Sequence, residues 1–363
     1  MEKQKRVDLD LIKCCAIIFV ITVHGLSYTG FYELSEPSIL LFVGHLIRCV
    51  TIICVPLFLI ITGYLSAEKR YTFDFNYFKK LFRLIIIYII CAVICSIPRF
   101  IRGELRGFLI ALFEFKAAPY AWYLAMYLGL YFMIPFLNEF LLDKNVEGGK
   151  QLFVLMGLVV LPTITNNFDF SSPEWWNGSK EQASQMLPNY WDELYPIMYY
   201  MIGAYLKRNN VIANGLKNKK LIFGGVLLGF SVINYFKNFG NAFSWDWATS
   251  YGGYQCLIIS VMFFCLLVGT DIKCRRIVYA IHSIARYSFG MYLISWPIDI
   301  VIYKILSTVL PQCIQMYLLP ISILGVSICS YIGAVFVTKI ADVLINLMGV
   351  ITTRAKNVRY LGH

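Results

Sequence analysis

Residues 9–25 read LDLIKCCAIIFVITVHG, an apolar run that carries Lys13 near one end and His24 near the other. A helix of about this length crosses most of the roughly 30 Å hydrocarbon core of a bilayer. The two side chains are eleven positions apart, which places them on nearly the same helical face and about 16 Å apart along the axis. The run predicts a membrane helix with a charge near one surface and an imidazole in the opposite half.

The composition extends this prediction to the whole chain. Of its 363 residues, 59% are hydrophobic and 15% are charged, which is more apolar surface than a soluble protein of this length can bury. We expect an all-α fold, a polytopic membrane helical bundle of about ten transmembrane helices, built as a single integral-membrane domain over residues 1–363. The apolar segments are 9–27, 39–65, 82–100, 121–142, 151–166, 193–206, 220–237, 252–270, 287–308 and 316–348.

Lysine and arginine are distributed unevenly between alternate loops. With a cytoplasmic amino terminus, 23 of them lie in inside segments and 6 in outside loops. This bias is typical of membrane proteins, so we expect both termini to be cytoplasmic. The formal net charge of +11 then reflects topology, and we expect no nucleic-acid partner.

Two of the outside loops have features of their own. In residues 99–120, four positive charges surround the apolar stretch GFLIALF, which is too short to span and predicts an interfacial or re-entrant helix. Residues 166–192 contain three tryptophans and several acidic residues. That loop is either a lid over an outward-facing site or an aromatic anchor at the interface.

Several common chemistries lack their motifs. The eleven cysteines lie mostly within apolar runs, without a CxxC pair or a Cys/His ligand spacing, so we expect them to pack and we expect no metal site. Phosphate-binding loops, zinc-protease motifs and nucleophile elbows are missing from the sequence. Nucleotide hydrolysis, zinc proteolysis and serine hydrolysis therefore lack support.

Polar side chains within the apolar segments mark the candidate site. His24 lies in the outer half of the first segment, and His45 and Arg48 lie in the first turns of the returning second segment. The short loop between the segments predicts a similar depth, so the three side chains either converge on one outward-facing cavity or face separate neighbours. Histidine is the usual general base near neutral pH. Lys13 is either part of the same site or an interfacial lysine whose stem snorkels to the surface.

Asp299 is the notable acid within an apolar segment. A structural ion pair is its favoured interpretation, with Lys304 or with a basic residue on another helix such as Arg48.

Six motifs, in order along the chain, resemble one known family. They read DLIKCCAIIFVITVHG, CVPLFLIITGYLSAEKR, YFKKLFRLIIIY, AWYLAMYLGLYFMIPFLN, YPIMYYMIGAYLKR and SFGMYLISWPI. Together they resemble the acyltransferase-3 family of bacterial integral-membrane O-acyltransferases, whose first helix typically carries Arg, ten residues and then His.

The resemblance implies an O-acyltransferase of the bacterial cell membrane. It would move an acyl group, most often acetyl, from cytoplasmic acetyl-CoA to a hydroxyl of a cell-surface polysaccharide or its lipid-linked precursor. The implied partners are the acyl-CoA, the glycan or lipid-linked glycan acceptor and membrane lipids, and a homo-oligomer is left open.

The resemblance also assigns roles to residues. His24 would deprotonate the acceptor hydroxyl or carry the acyl group itself, and Arg48 or a tyrosine hydroxyl would stabilise the developing oxyanion. The catalytic candidates are His24, Arg48 and His45. The candidates for binding the acyl donor are Lys13, Lys80, Arg83, Trp122 and Tyr123.

Three positions depart from the family pattern. Lys13 stands where the family has arginine, which keeps the charge but loses the bidentate fork, and Ala121 and Ser295 stand where histidine is common. One rival interpretation is a transporter or flippase for a sugar or lipid-linked sugar, and another is a membrane sensor derived from the same scaffold. The basic cluster aligned with His24 favours the enzyme.

Overall fold

The computed structural model describes residues 6–72, 74–142, 148–168, 187–210 and 218–360. Within these ranges the fold is all-helical and contains no β-strand. Short 3₁₀ helices cover Phe31–Glu33, Pro119–Ala121 and Asn189–Leu194. The α-helices are α1 (Val7–Tyr28), α2 (Ile39–Thr51), α3 (Cys54–Ser66), α4 (Phe75–Cys95), α5 (Ile97–Ile101), α6 (Leu105–Phe113), α7 (Trp122–Leu142), α8 (Gly148–Thr165), α9 (Tyr195–Arg208), α10 (Lys219–Lys237), α11 (Tyr254–Leu267), α12 (Arg275–Val309), α13 (Gln312–Gln315) and α14 (Leu319–Tyr360).

Each of the ten predicted apolar segments falls on one or two of these helices. Helices α8 and α11 are apolar but short, and the count of about ten spans and the cytoplasmic termini stay predictions. Six stretches of the described chain are long and apolar enough to cross a membrane: Val7–Tyr28, Ile39–Ser66, Pro119–Leu141, Lys219–Lys237, Arg275–Val309 and Leu319–Met348.

The two loops singled out in the sequence have different outcomes. Helix α6, nine residues long, confirms a short helix within residues 99–120. Most of the tryptophan-rich loop, including Trp175 and Trp176, lies outside the described residues.

Two helix boundaries differ from those predicted from hydropathy. The Asp74 carboxylate accepts a hydrogen bond from the Tyr77 backbone N–H at 2.8 Å, so α4 starts seven residues before the predicted boundary at 82. The second segment is broken at residues 52 and 53, between α2 and α3. Pro56 therefore falls in the first turn of α3, where a missing N–H costs nothing.

Helix α1 lies at the centre of the packing. Its residues Ile12, Ile17 and Ile21 are fully buried, and it contacts α12, α3 and α14. The 3₁₀ turn before α7 also packs on α12. Three elements, α1, the start of α7 and α12, therefore meet where His24 lies.

Candidate functional site

His24 is half-buried near the end of α1 and stacks on a tyrosine. The ring centroids of His24 and Tyr120 are 3.7 Å apart, with 10° between the planes. The Tyr120 hydroxyl donates a hydrogen bond of 2.9 Å to Asp299 Oδ2. We call His24, Tyr120 and Asp299 the histidine cluster; it joins α1, the turn before α7, and α12.

The ion pair expected for Asp299 is wrong. Its carboxylate is fully buried, and within the described part of the chain no cation lies within ion-pair distance; its hydrogen-bond donor is Tyr120. The second oxygen, Oδ1, has no hydrogen-bond partner there. The Tyr120 phenol therefore occupies the place in which a basic side chain was expected.

A cavity of about 280 Å³ runs beside α1, and we call it the first-helix cavity. Lys13 and Val20 line it from α1, Tyr123 from α7, and Arg286 and Tyr292 from α12. Lys13 and His24 both lie in the unbroken helix α1, so the predicted separation of about 16 Å along the axis holds. The cavity therefore extends from the Lys13 end of α1 towards His24.

One end of the first-helix cavity lies close to the histidine cluster, although His24, Tyr120 and Asp299 do not line it. Val20 is one helical turn from His24, and the Tyr292 ring centroid lies 6.5 Å from that of Tyr120 and 5.9 Å from that of Tyr123. The Tyr292 hydroxyl is buried and has no partner among the described residues. This end of the cavity is therefore the part nearest to the His24 imidazole.

Basic side chains line the other end of the first-helix cavity. Lys13 pairs with Asp10 at 2.9 Å, and the same carboxylate contacts His282 Nδ1 at 2.8 Å. Arg83 holds Asp342 through two hydrogen bonds of 2.9 and 3.2 Å. Both ion pairs are partly exposed, so solvent screens the attraction between their charges.

A second cavity, of about 410 Å³, adjoins the first. We call it the basic cavity, because Lys69, Arg70 and Lys80 line it, together with several tyrosines. Thr62 and Tyr127 line both cavities, so the two are contiguous. Together they reach the volume of small-molecule sites, about 300–1,000 Å³.

His45 and Arg48 lie in a different environment from His24. Both are buried. Their aromatic neighbours are Phe31 and Tyr32 before α2, Tyr235 near the end of α10, and Phe243 and Trp245 in the loop after α10. No ring contact or hydrogen bond joins either side chain to the histidine cluster within the described ranges. The structure thus gives the two groups separate neighbours.

Of the two aromatic candidates for binding the acyl donor, one lines the first-helix cavity and the other does not. Tyr123 lines the first-helix cavity, whereas Trp122 lines neither cavity and stacks on Tyr251 with the ring centroids 5.7 Å apart. Ser295 is fully buried and donates to the Tyr292 carbonyl at 2.9 Å, and Ala121 is fully buried next to Tyr120.

Sequence reasoning missed three residues of this site: Tyr120, Arg286 and Tyr292. Tyrosine is abundant here, with 25 in the chain, so nothing distinguishes these two from interfacial tyrosines. Arg286 was counted only for topology. Their roles depend on how the helices are rotated, which apolar sequences leave undetermined.

These features define a polytopic membrane protein with a polar site buried between its helices and reached by a cavity with a basic mouth. The chain belongs to the acyltransferase-3 family: the family model described as "Acyltransferase domain" matches residues 6–339, nearly the whole chain. This match supports a membrane acyltransferase and does not favour a transporter. No curated protein and no solved structure matches the chain.

Proposed function

We propose that the protein is an O-acetyltransferase of the bacterial cell membrane, using acetyl-CoA from the cytoplasm to acetylate a hydroxyl of a cell-surface polysaccharide or its lipid-linked precursor. The observation that carries the proposal is the first-helix cavity, which runs from basic side chains at its mouth to Val20, one helical turn from His24. The family match supports the class of reaction, and the first-helix cavity is the path that we propose for the acyl donor.

The basic mouth suits the anionic end of the donor. Phosphate groups bind Lys and Arg through charge-assisted hydrogen bonds. Lys13, Arg83 and Arg286 line the first-helix cavity, and Lys80 lines the contiguous basic cavity beside Arg70. The nucleotide would occupy the basic cavity and the mouth, with the thin pantetheine arm passing along α1 between them and His24.

The histidine cluster suits proton transfer at the far end of that arm. His24 would accept the proton of the acceptor hydroxyl, and the oxygen would form a bond to the thioester carbonyl carbon. The C–S bond then breaks, and His24 returns the proton to the leaving thiolate, giving free CoA and the acetyl ester. Tyr120 is a positioning residue in this scheme, since its hydrogen bond to Asp299 fixes the ring on which His24 stacks.

Tyr292 is the candidate for stabilising the developing oxyanion. Tyr292 lines the first-helix cavity, and its buried hydroxyl lacks a partner among the described residues, so a small movement would let it donate to a charge that forms only in the transition state. We leave Arg48 and His45 out of the transfer step, because their side chains contact other aromatic rings.

The test is transfer of label by purified full-length protein. We expect the protein in nanodiscs, given acetyl-CoA labelled in the acetyl group and bacterial envelope glycan fractions, to label one of those fractions. His24→Ala should reduce the rate by at least about 100-fold, as loss of a general base does. Tyr120→Phe, which keeps the ring and loses the hydroxyl, should give an intermediate rate.

The matched control is Ile18→Ala, on the same helix at a lipid-exposed position. It should transfer label as the wild type does. The proposal fails if the wild type labels no glycan fraction, or if His24→Ala and Ile18→Ala are equally active while both remain folded. Lys13→Ala should chiefly raise the KM for acetyl-CoA; an unchanged KM would remove Lys13 from the donor site.

A further inference from the structure

Arg48 is a buried cation without an anion. Its side chain is 4% exposed, no carboxylate of the described residues lies within ion-pair distance, and Nε lacks a hydrogen-bond partner there. Three aromatic rings surround the guanidinium carbon: Phe243 at 4.9 Å, Trp245 at 5.4 Å and Tyr32 at 6.0 Å. Cation–π contacts offset part of the cost of desolvating the Arg48 guanidinium. A buried charge is nevertheless ordinarily paired with an opposite charge.

His45 lies on the same face of α2, three residues before Arg48. It is 2% exposed, and its Nε2 also has no partner in the described part of the chain. Phe243 contacts both side chains, with its ring centroid 5.7 Å from that of His45. Two polar side chains with unsatisfied nitrogens therefore lie side by side, and an oxyanion is the group that accepts from both.

One of the three aromatic rings around Arg48, that of Trp245, is exposed at the surface. Trp245 is 53% exposed and stacks on Tyr32 at 4.9 Å between ring centroids, with 25° between the planes. Burial raises the pKa of the Tyr32 hydroxyl, so this group stays protonated and can donate. The Phe243 backbone N–H donates to the Tyr32 carbonyl at 3.2 Å, which joins the loop after α10 to the 3₁₀ helix between α1 and α2.

We propose that Arg48 and His45 bind a carboxylate or phosphate group carried by a sugar, with the exposed Trp245 ring packing against the sugar face. Identifying this sugar as part of the acceptor rests on the proposed function. The site then selects acidic glycans or sugar phosphates over neutral ones. An amphipathic ring beside a buried cation suits such a ligand, because the ring covers apolar C–H faces while the cation binds the acid.

The test is direct binding without any acyl donor. The full-length protein, in phosphatidylcholine nanodiscs, would be equilibrated with radiolabelled glucuronic acid, glucose 1-phosphate or glucose. We expect glucuronic acid or glucose 1-phosphate to bind at least tenfold more tightly than glucose, and the one that does identifies the acid. Arg48→Gln should remove this preference, and Arg48→Lys should retain part of it.

Two further variants keep the test decisive. Arg102→Gln removes an exposed arginine that pairs with Glu104, and it should bind all three sugars as the wild type does. Trp245→Phe, at an exposed position, should weaken binding of the acidic sugar and of glucose by similar factors and leave the preference intact, because it changes the ring and not the cation. The inference is overturned if the wild type does not discriminate between the sugars, or if Arg102→Gln loses the preference as Arg48→Gln does.

A lipid headgroup is the competing source of an oxyanion. Phosphatidylglycerol in the nanodiscs would displace the bound sugar if an anionic lipid headgroup were the ligand, and that result would also overturn the inference. Because no thioester takes part in binding, a failure here is distinguishable from a failure of the acetyl transfer, which is measured separately.

Discussion

Helices α3 and α9 approach each other through two glycines, and adding a methyl group to either should destabilise the protein. A Cβ atom at Gly63 would lie 1.9 Å from the Tyr200 carbonyl oxygen, and one at Gly203 would lie 2.0 Å from the Ile60 carbonyl oxygen. Real Cβ atoms essentially never come closer than 3.0 Å to such an atom, so Gly63→Ala forces the helices apart by at least about 1.1 Å. Small residues allow this close packing in membrane bundles.

The expected cost follows from the obstruction. The clashing atoms belong to a helix backbone, which cannot rotate away as a side chain does, and overpacking of this kind typically costs about 1–3 kcal/mol. We expect each single variant to lower the free energy of unfolding by about 2 kcal/mol or more. Since one separation of α3 from α9 relieves both clashes, the Gly63→Ala/Gly203→Ala double variant should cost less than the sum of the single variants.

The assay is thermal inactivation in one detergent, followed by loss of the monodisperse size-exclusion peak. Gly229→Ala in α10 is the matched control, because nothing lies within 4 Å of a Cβ atom built there. It should equal or exceed the wild type, since Ala is favoured over Gly in helices by up to about 1 kcal/mol. Equal half-lives for Gly63→Ala, Gly203→Ala and Gly229→Ala would refute the close approach.

Two predictions concern the mouth of the first-helix cavity. Asp10→Asn removes the carboxylate that pairs Lys13 and His282 and should lower the KM for acetyl-CoA by about two- to fivefold, the range of a partly exposed ion pair; a higher KM would contradict it. Asp342→Asn breaks the half-exposed pair with Arg83 at a cost of at most about 1 kcal/mol in thermal unfolding. Arg83→Gln should lower the free energy of unfolding by the same amount and should also raise the KM for acetyl-CoA. Equal KM values for the two variants would exclude Arg83 from the acyl-donor site.

The fold was largely predictable because the bilayer imposes it. Apolar runs must satisfy their backbone hydrogen bonds as helices, and each predicted segment falls on helical structure. The boundaries were less predictable, since charged turns continue beyond the apolar part: α12 begins at Arg275, twelve residues before the predicted start at 287. The break before α3 had a signal in Pro56, which a helix tolerates in its first turn.

The candidate site was predictable along the helices but not between them. The spacing from Lys13 to His24 depends on one helix and could be read from sequence alone. The contact of His24 with Tyr120, and of Tyr120 with Asp299, depends on the relative rotation of three helices. Hydrophobic periodicity does not report that rotation when the helices are apolar on every face, which is why Asp299 was assigned an ion pair.

Ala121 and Ser295, which stand where histidine is common in the family, lie beside the histidine cluster. Ala121 follows Tyr120 directly, and Ser295 lies one turn before Asp299 on α12. Both side chains are fully buried, so the packing leaves no room for an imidazole at either position without displacement of neighbours. His24 is therefore the single histidine of this cluster among the described residues, and the other groups there that can hold a proton are the Tyr120 hydroxyl and the Asp299 carboxyl.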